Sequence, residues 1–253
     1  MKTLKSPLLS SFSEITHAFT SRHGGLSKAP FHSNNLAFHV GDLKTDVIQN
    51  HQKTAKSLGY EYQNLIHMRQ IHSDKITIVD SKRHHFENPP ECDALITNQT
   101  ATPLMVMTAD CTPVLLYDPI QKVIAVAHAG RAGALKSIVT KTIKKMSASY
   151  DSDIENILVA LGPSIGVCCY EVGTEIAQET DILGYGFAVE HRAGSYFLDV
   201  NAIILHQLKT LGLKEVQINN LSVCNACHNS TYFSYRADQK ETGRFGGILM
   251  INP

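Results

Sequence analysis

The sequence has no surplus of either charge and no long apolar run. Its 253 residues include 23 Lys and Arg and 23 Asp and Glu, so no overall field attracts nucleic acid or an anionic membrane. No stretch approaches the ~18 consecutive apolar residues of a membrane-spanning helix, and the first residues lack the apolar core of a signal peptide. These absences predict a cytoplasmic protein with neither nucleic-acid nor membrane partners, which binds its ligands at a local site.

Cofactor motifs and disulfide frameworks are also missing. The glycines between Gly162 and Gly173 match neither a dinucleotide-binding fingerprint nor a phosphate-binding loop. In the cytoplasm the six cysteines are expected to be mostly reduced, which favours metal or catalytic roles. We interpret Cys92, Cys168 and Cys169 as small core residues.

The run from Cys224 to His228 has the Cys-x-x-Cys-His pattern of covalent haem attachment. Haem attachment requires export, and the start of the chain shows no signal peptide. We therefore interpret Cys224 and Cys227 as a structural pair, or as an adventitious metal or redox pair.

The hydrophobic pattern predicts a mixed α/β fold over residues 1–253, arranged as a single domain. Short buried strands are predicted at Leu104–Met107, Val114–Tyr117, Val123–Ala127, Ile157–Leu161 and Gly247–Ile251, with a more exposed strand at Lys75–Asp80. Helices are predicted at Thr45–Leu58, from near Gly133 to Met146, and at Val200–Leu211. Short turns between strands also indicate antiparallel pairs, so we expect one mixed sheet flanked by helices.

Two residues with reactive side chains lie at the ends of predicted strands. Cys111 precedes the strand that begins near Val114, and His128 ends the strand that begins at Val123. A thiol beside an imidazole is either a nucleophile with its base or part of a metal site. His128 also precedes a turn of small residues into a helix, a location that favours anions such as phosphate.

These residues leave more than one chemistry open. Cys111 as nucleophile and His128 as base would give a cysteine hydrolase, for instance an amidase that edits peptidoglycan precursors. With His72 as a second histidine, Cys111 and His128 also form the trigonal blue-copper set, with Met105 or Met107 as an axial ligand. A multicopper oxidase needs many paired histidines, yet His84 and His85 are the only adjacent pair and no His-x-His occurs. A binding protein without catalytic activity is a further alternative.

Six segments resemble the laccase-domain family, also called YfiH-like proteins or multicopper polyphenol oxidases. In chain order they are Thr20–Ser27 with Ser33–Leu36 and Val40–Asp42, Gln70–His72, Asp93–Thr97 with Ala109–Cys111, His128–Gly130, Gly162–Gly173, and Phe233–Arg236 with Thr242–Arg244. The resemblance implies a three-layer α/β/α fold. It also implies a zinc-dependent purine nucleoside phosphorylase acting on adenosine, inosine or S-methyl-5'-thioadenosine with phosphate, and an added adenosine deaminase activity. Copper in place of zinc, as in a polyphenol oxidase, is the alternative metal, and a homodimer is compatible with the sequence.

The resemblance completes a ligand set of His72, Cys111 and His128. His72 is chosen over the neighbouring His67 because it matches the family's Gln-x-His segment at Gln70. Two histidines and one cysteine are the ligands of a catalytic zinc with one open position, whose water has a pKa lowered to about 7. We expect these three residues to be catalytic, with Asp110 as a proton donor to the departing base.

Substrate contacts are expected from Arg22, Asn35 and Arg236. Both arginines lie in matched segments, and guanidinium groups suit bidentate recognition of phosphate. Asn35 is expected to contact the sugar or the base. The family usually continues His-Ala-Gly with Trp-Arg-Gly, whereas this chain has Arg131-Ala132-Gly133, so the usual arginine's role does not transfer to Arg131.

Overall fold

The computed structural model describes residues 2–80 and 86–253. The strands are β1 (Thr3–Leu4), β2 (Ile15–Thr20), β3 (Ile66–His67), β4 (Ile76–Ile78), β5 (Ala94–Thr97), β6 (Leu104–Thr108), β7 (Thr112–Asp118), β8 (Val123–Ala129), β9 (Leu158–Leu161), β10 (Glu171–Val172), β11 (Val189–Arg192), β12 (Ser195–Leu198), β13 (Ile218–Asn220) and β14 (Phe245–Ile251). The α-helices are α1 (Pro7–Ser10), α2 (Lys44–Leu58), α3 (Arg131–Leu135), α4 (Ile138–Tyr150), α5 (Thr174–Ile182) and α6 (Val200–Leu211). Within the described ranges, no helix combines the length and the apolar character needed to cross a membrane.

Most strands belong to two large mixed sheets. The five-stranded sheet has the order β1-β2-β14-β6-β3, and the six-stranded sheet has the order β13-β9-β7-β8-β5-β4. In the six-stranded sheet the central pairs are antiparallel and both edge strands pair in parallel, β13 with β9 and β4 with β5. In the five-stranded sheet only β3, at one edge, is parallel to its neighbour β6. Strands β10, β12 and β11 form a small antiparallel sheet.

The two large sheets pack against each other. Phe19 and Leu249 of the five-stranded sheet share a buried cluster with Leu115 and Val126 of the six-stranded sheet. Because successive side chains of a strand point to opposite faces, the neighbouring residues of these strands point outward, toward the helices. The sheet interface is therefore the centre of the molecule.

Helices cover both outer faces. On the six-stranded sheet, Leu116 packs in a cluster with Ile143 of α4 and Ile204 of α6. On the five-stranded sheet, Met105 packs in a cluster with Ala55 of α2. The layers run helix, sheet, sheet, helix.

This architecture confirms the expected mixed α/β class and differs from the expectation in the number of sheets. The sequence predicts one sheet between helices, whereas the strands divide between two sheets. The reason is that β6, β7 and β8 are buried on both faces. A continuous apolar strand shows that both faces are covered but not whether the cover is a helix or another sheet.

The long helix expected after Gly133 is divided into α3 and α4. Ser137 between them has φ 61° and ψ 41°, in the left-handed region, so the backbone turns there instead of continuing the helix. The strand ending at His128 continues to Ala129, and α3 begins at Arg131 directly after Gly130. This abrupt change of direction places His128 and Gly130 where β8 ends, on the side of the six-stranded sheet where β7 begins.

Candidate metal centre and cavity

The structure brings His72, Cys111 and His128 together at one edge of the six-stranded sheet. Strands β7 and β8 are antiparallel and pair Thr112 with Ala129, so the start of one strand lies beside the end of the other. Cys111 immediately precedes β7, which puts its thiol next to His128. One ligand atom from each of the three residues lies within 4.8 Å of the others. The imidazole rings of His72 and His128 are nearly perpendicular, at 71°, with centroids 4.8 Å apart.

Asp93 holds two of these three residues in position through hydrogen bonds. Its carboxylate accepts hydrogen bonds from the backbone N–H groups of His72, at 3.1 Å, and Ser73, at 2.6 Å. It also accepts from Ile71 N and Ser73 Oγ, and the ring of His128 lies against it with Nδ1 2.9 Å from Asp93 Oδ1. Because Nδ1 donates to Asp93, Nε2 of His128 is left to face Cys111 and a metal. A carboxylate behind a histidine in this way fixes the ring orientation of a metal ligand.

Charges at the centre favour cation binding. Burial raises the pKa of Asp93, but hydrogen bonds from His128 and Ser73 outweigh burial and hold it at about 2. Burial and the neighbouring His128 lower the pKa of His72, which favours the neutral imidazole that a metal requires. Burial also acts to lower the pKa of His128, but Cys111 and Asp93 outweigh it and raise that pKa. A metal at Nε2 would therefore replace a proton on His128.

Two further residues hold the centre in shape. Gln70 bonds to β6 in both directions, since its Nε2 donates to Met107 O at 2.7 Å and its Oε1 accepts from Met107 N at 2.9 Å. Gly130 leaves room for the ligands, because a Cβ there would lie 2.7 Å from Cys111 Sγ and 3.3 Å from His72 Nδ1. The donor set of two imidazoles and one thiol fits a divalent metal held by three protein ligands.

The three ligands open into a large cavity of about 1550 Å³. Apolar and aromatic side chains line its walls, among them Phe38, Met68, Phe86, Ile165 and Tyr170. Among the described residues, six that line the cavity carry a permanent positive charge and two are acidic. The cations are Lys44, Arg69, Arg131, Arg236, Lys240 and Arg244, and the acids are Glu87 and Asp110. A cavity with apolar walls and this excess of cations suits a flat, partly apolar ligand together with an anion.

Of the expected substrate-contacting residues, Arg236 lines the cavity and Arg22 and Asn35 are not among its lining residues. The guanidinium of Arg22 donates to Asn229 O at 2.6 Å and pairs with Asp238 at 3.2 Å. Asn35 is fully buried, and its Oδ1 accepts hydrogen bonds from Ala37 N and Arg244 N. These contacts give Arg22 and Asn35 roles in positioning loops.

Asp110 lines the cavity beside Cys111. Its Oδ1 accepts a hydrogen bond from Ser234 Oγ at 2.6 Å, and its Oδ2 accepts one from the backbone N–H of Arg236 at 2.7 Å. Burial raises the pKa of Asp110, while the bonds from Ser234 and Arg236 oppose that shift. The residue therefore joins the start of β7 to the turn that carries Arg236.

Arg131 and Arg244 differ in their partners. Arg131 lies at the cavity wall and pairs with Glu179 of α5 at 2.5 Å. Arg244 is half-buried, and its Nη1 donates to the carbonyl oxygens of Thr242 and Gly243. Among the described residues no carboxylate forms a salt bridge with Arg244. Burial lowers the pKa of Arg244, and the electrostatic effects of Cys111 and Asp110 oppose that shift.

Sequence reasoning did not single out Asp93 or Arg244. Both residues lie in segments that carry the family resemblance, but their roles depend on contacts with distant parts of the chain. Of the two methionines considered as axial copper ligands, Met107 lines the cavity and Met105 packs in the core beside α2. His84 and His85 lie outside the described residues.

Fold and site together define an α/β protein in which His72, Cys111 and His128, a candidate metal centre, line a large cavity. The family model described as multi-copper polyphenol oxidoreductase laccase matches residues 16–252. The chain belongs to this family.

Relatives of this chain have related names and structures. A protein of Streptomyces coelicolor named purine nucleoside phosphorylase is 35% identical over 235 residues, which cover 92% of this chain and 94% of the relative. The Bacillus subtilis protein named purine nucleoside phosphorylase YlmD is 29% identical, over 93% of this chain and 88% of its own. The crystal structure of YlmD from Geobacillus stearothermophilus has a TM-score of 0.91 at 26% identity, covering 100% of this chain and 98% of that one. YfiH from Bacillus licheniformis has a TM-score of 0.88 at 29% identity, covering 94% of this chain and 93% of its own.

Proposed function

We propose that this chain is a zinc-dependent purine nucleoside phosphorylase. It would convert adenosine, inosine or S-methyl-5'-thioadenosine and inorganic phosphate into the free base and the pentose 1-phosphate. The observation that carries the proposal is the set of His72, Cys111 and His128 opening into a cavity with apolar walls and a basic lining. The names of the relatives support the same reaction.

His72, Cys111 and His128 would hold the zinc through two nitrogens and one sulfur. When bound, zinc supplies a positive charge and an open coordination position that orient and polarise the substrate. Asp93 keeps His128 in the tautomer that presents Nε2 to the metal. Gln70 and Asp93 together keep the His72 loop against β6 and β5, so the ligand geometry exists before the substrate arrives.

The reaction exchanges one bond at the anomeric carbon. The bond from C1' to the purine nitrogen breaks while a bond from C1' to a phosphate oxygen forms, and positive charge develops on the ribose. The aromatic walls at Phe38, Phe86 and Tyr170 offer surfaces for the base. Arg244 and Arg236 line the same cavity, and their guanidinium groups would bind the phosphate.

The departing purine must receive a proton. Asp110 is a carboxyl group of the cavity whose pKa is raised by burial, which favours the protonated form that can donate. Its hydrogen bonds with Ser234 and Arg236 fix the direction of the group. Asp110 would therefore donate the proton to the departing purine.

Adenosine deamination at the same centre stays a prediction, since the relatives named above carry no name for that activity.

A second candidate function is favoured by one observation. Cys111, His128 and Asp93 also have the order of a nucleophile, its base and the group that orients the base. That arrangement would make a cysteine hydrolase, such as an amidase acting on peptidoglycan precursors, and its activity would not need a metal.

The test compares zinc-loaded and zinc-stripped protein in an assay with inosine and phosphate. We expect activity with zinc only, and we expect Cys111→Ser and His128→Ala to lower it by at least about a hundredfold, because the centre loses both orientation and charge. His191→Ala replaces an exposed histidine on β11 and is the matched control. Equal phosphorolysis by the stripped and loaded protein would contradict the zinc dependence, and a fully active His128→Ala variant would refute the assigned centre. No turnover of inosine by either form, together with metal-independent hydrolysis of a peptidoglycan-precursor amide, would favour the cysteine hydrolase.

A further inference from the structure

A second group of metal-ligating side chains lies outside the centre just described. Cys168, Cys169, Cys224 and Cys227 bring their four sulfur atoms within 4.8 Å of one another. The expected role of Cys168 and Cys169 as core residues is wrong, since Cys168 is exposed and Cys169 is half-buried, whereas Cys92 is buried as expected. The side chains of the four-cysteine group therefore meet at the surface.

The fold explains why these distant residues meet. Strands β9 and β13 are parallel neighbours, so the segments that follow them leave the same edge of the sheet. The pairing continues beyond the strands, because Ser164 N donates to Val223 O at 3.1 Å and Asn225 N donates to Ser164 O at 3.0 Å. One segment then supplies Cys168 and Cys169, and the other supplies Cys224 and Cys227.

The sulfur distances fit thiols around a metal better than disulfides. Cys227 Sγ lies 3.5 Å from Cys168 Sγ and 3.3 Å from Cys169 Sγ, whereas a disulfide needs about 2.05 Å. In a tetrahedral zinc site with Zn–S distances of about 2.3 Å, neighbouring sulfurs are about 3.8 Å apart. Four sulfurs already within 4.8 Å of one another need only small side-chain adjustments to reach that geometry.

Backbone groups around the cluster favour a thiolate. The N–H of Gly166 donates to Cys224 Sγ at 3.3 Å. Thiolates are the form in which cysteines bind metals, and such N–H groups offset part of their charge.

We propose that Cys168, Cys169, Cys224 and Cys227 form a second, four-thiolate zinc site separate from the centre of His72, Cys111 and His128. Four protein ligands complete a tetrahedral shell and leave no open position, which defines a structural site and not a catalytic one. The Cys-x-x-Cys spacing of Cys224 and Cys227 is the spacing used in such sites. The site would fasten together the segments that follow β9 and β13.

These segments also contribute to the cavity wall. Tyr170 follows the first cysteine pair directly, and Arg236 follows the second by nine residues. Arg236 Nη2 donates to Glu171 O at 3.0 Å, and its guanidinium lies 5.5 Å from the ring centroid of Tyr170. A metal in the cluster would therefore stabilise the part of the cavity wall formed by Tyr170 and Arg236. The metal itself would not contact the substrate.

The test uses a Cys111→Ser chain, because this variant removes a ligand of the first centre and leaves the cluster intact. After reduction and loading with Zn²⁺, elemental analysis should find about one tightly held zinc per chain. Adding Cys224→Ser should remove that zinc, whereas adding Cys92→Ala, which changes the buried cysteine outside both groups, should not. A Cys111→Ser chain that holds no zinc, or a Cys224→Ser addition that leaves zinc unchanged, would overturn the proposal.

A second measurement needs no change within the cluster. Cys168 and Cys227 are exposed, so a thiol reagent should modify them readily in metal-free Cys111→Ser protein. Zn²⁺ should suppress that reaction by at least about tenfold, and Co²⁺ should give a sulfur-to-metal absorption band. If Zn²⁺ leaves the reaction rate unchanged, or if the thiols have formed disulfides in the freshly purified protein, the cluster is not a metal site.

Discussion

Asp93 connects two of the three proposed ligands through a single buried carboxylate. The carboxylate accepts hydrogen bonds from the backbone N–H groups of His72 and Ser73 and from the ring of His128. The φ of 55° at His72 shows that this turn adopts a left-handed conformation, which a non-glycine residue adopts only when its surroundings hold it there. The carboxylate supplies that support and also orients His128.

Replacing Asp93 with Asn should therefore weaken metal binding. Asn keeps the size of the side chain but lacks the negative charge. An amide NH₂ in place of Oδ1 would face two other donors, His72 N and His128 Nδ1. We expect zinc affinity to fall by about ten- to a hundredfold, as for other residues that orient metal ligands. Competition with a chromophoric chelator measures the affinity.

Asp74→Asn is the matched control for this prediction. Asp74 lies one residue after Ser73 and pairs with Lys141 at the surface, away from the ligands. Its replacement should leave zinc affinity unchanged. Equal zinc affinities for Asp93→Asn and the unmodified chain would show that Asp93 has no role in positioning the ligands.

The cavity arginines give a second prediction at this scale. Arg244 forms no salt bridge among the described residues, so Arg244→Ala should remove a charged hydrogen bond to phosphate worth about 1.5 to 3 kcal/mol. The apparent KM for phosphate should rise by roughly ten- to a hundredfold. Arg131 is already paired with Glu179, and Arg131→Ala should change that KM by less than about threefold.

Steady-state rates measured at varied phosphate and saturating inosine separate these outcomes. Zinc content is measured in parallel to confirm that the centre is intact. The double variant Arg131→Trp with Ala132→Arg restores the family's usual order and should lower the KM for phosphate. A large KM increase in Arg131→Ala with unchanged zinc would instead assign the phosphate contact to Arg131.

At the scale of elements, the N-terminal segment is attached to β2 by a buried histidine. Ser6 N donates to His17 Nε2 at 3.0 Å, and the Ser6 hydroxyl accepts from Leu9 N at the start of α1. His17 is only 3% exposed. Burial, aided by the charge of Lys5, lowers the pKa of His17 from 6.5 to about 4.

This shift predicts a loss of stability in mild acid. Below pH 6.5 the unfolded chain protonates His17 while the folded chain does not until about pH 4, so the free energy of unfolding falls as the pH falls through this range. At about 1.36 kcal/mol per pH unit, His17 accounts for up to about 3 kcal/mol. Urea unfolding of metal-free protein at pH 7 and at pH 4.5 measures the change.

His17→Gln keeps an acceptor for Ser6 but cannot titrate in this range, so its stability should fall less between the two pH values than that of the unmodified chain. His191→Gln, at an exposed position, should behave like the unmodified chain. If His17→Gln and the unmodified chain lose the same free energy, His17 is not responsible for acid sensitivity.

The elements also show how far the sequence predicts the fold. Helix α2, helix α6 and the β7–β8 hairpin follow from local periodicity and turn residues, and the structure has them within a few residues. The division of α3 from α4 at Ser137 was not predictable, because no proline or glycine marks it. Which strands share a sheet depends on pairings between β2, β6 and β14, which are far apart in the chain.

The same limit applies to the site. Cys111 and His128 are adjacent because two consecutive strands are antiparallel, and this could be predicted from the sequence. Asp93, Arg244 and the four-cysteine group depend on contacts between segments that are distant in sequence. Arg22 and Asn35 lie in matched segments but support loops, since a segment that resembles a family includes structural residues as well as those that contact substrate.

At the scale of the whole molecule, the cavity lies where the two large sheets meet at one edge. Thr108 at the end of β6 comes from one sheet, and Thr112 and His128 come from the other, and all three line the cavity. Gln70 links the His72 loop to β6, so the metal centre contacts both sheets. The net charge is zero, yet the described part of the cavity lining is basic, so an anion would be attracted to the site and not to the whole surface.

Product analysis of the zinc-loaded protein distinguishes phosphorolysis at this cavity from simple hydrolysis of the nucleoside. Inosine is incubated with and without inorganic phosphate, and hypoxanthine, free ribose and ribose 1-phosphate are quantified together. We expect no turnover without phosphate, and equal amounts of hypoxanthine and ribose 1-phosphate with it. Hypoxanthine accompanied by free ribose, formed at the same rate without phosphate, would contradict phosphorolysis.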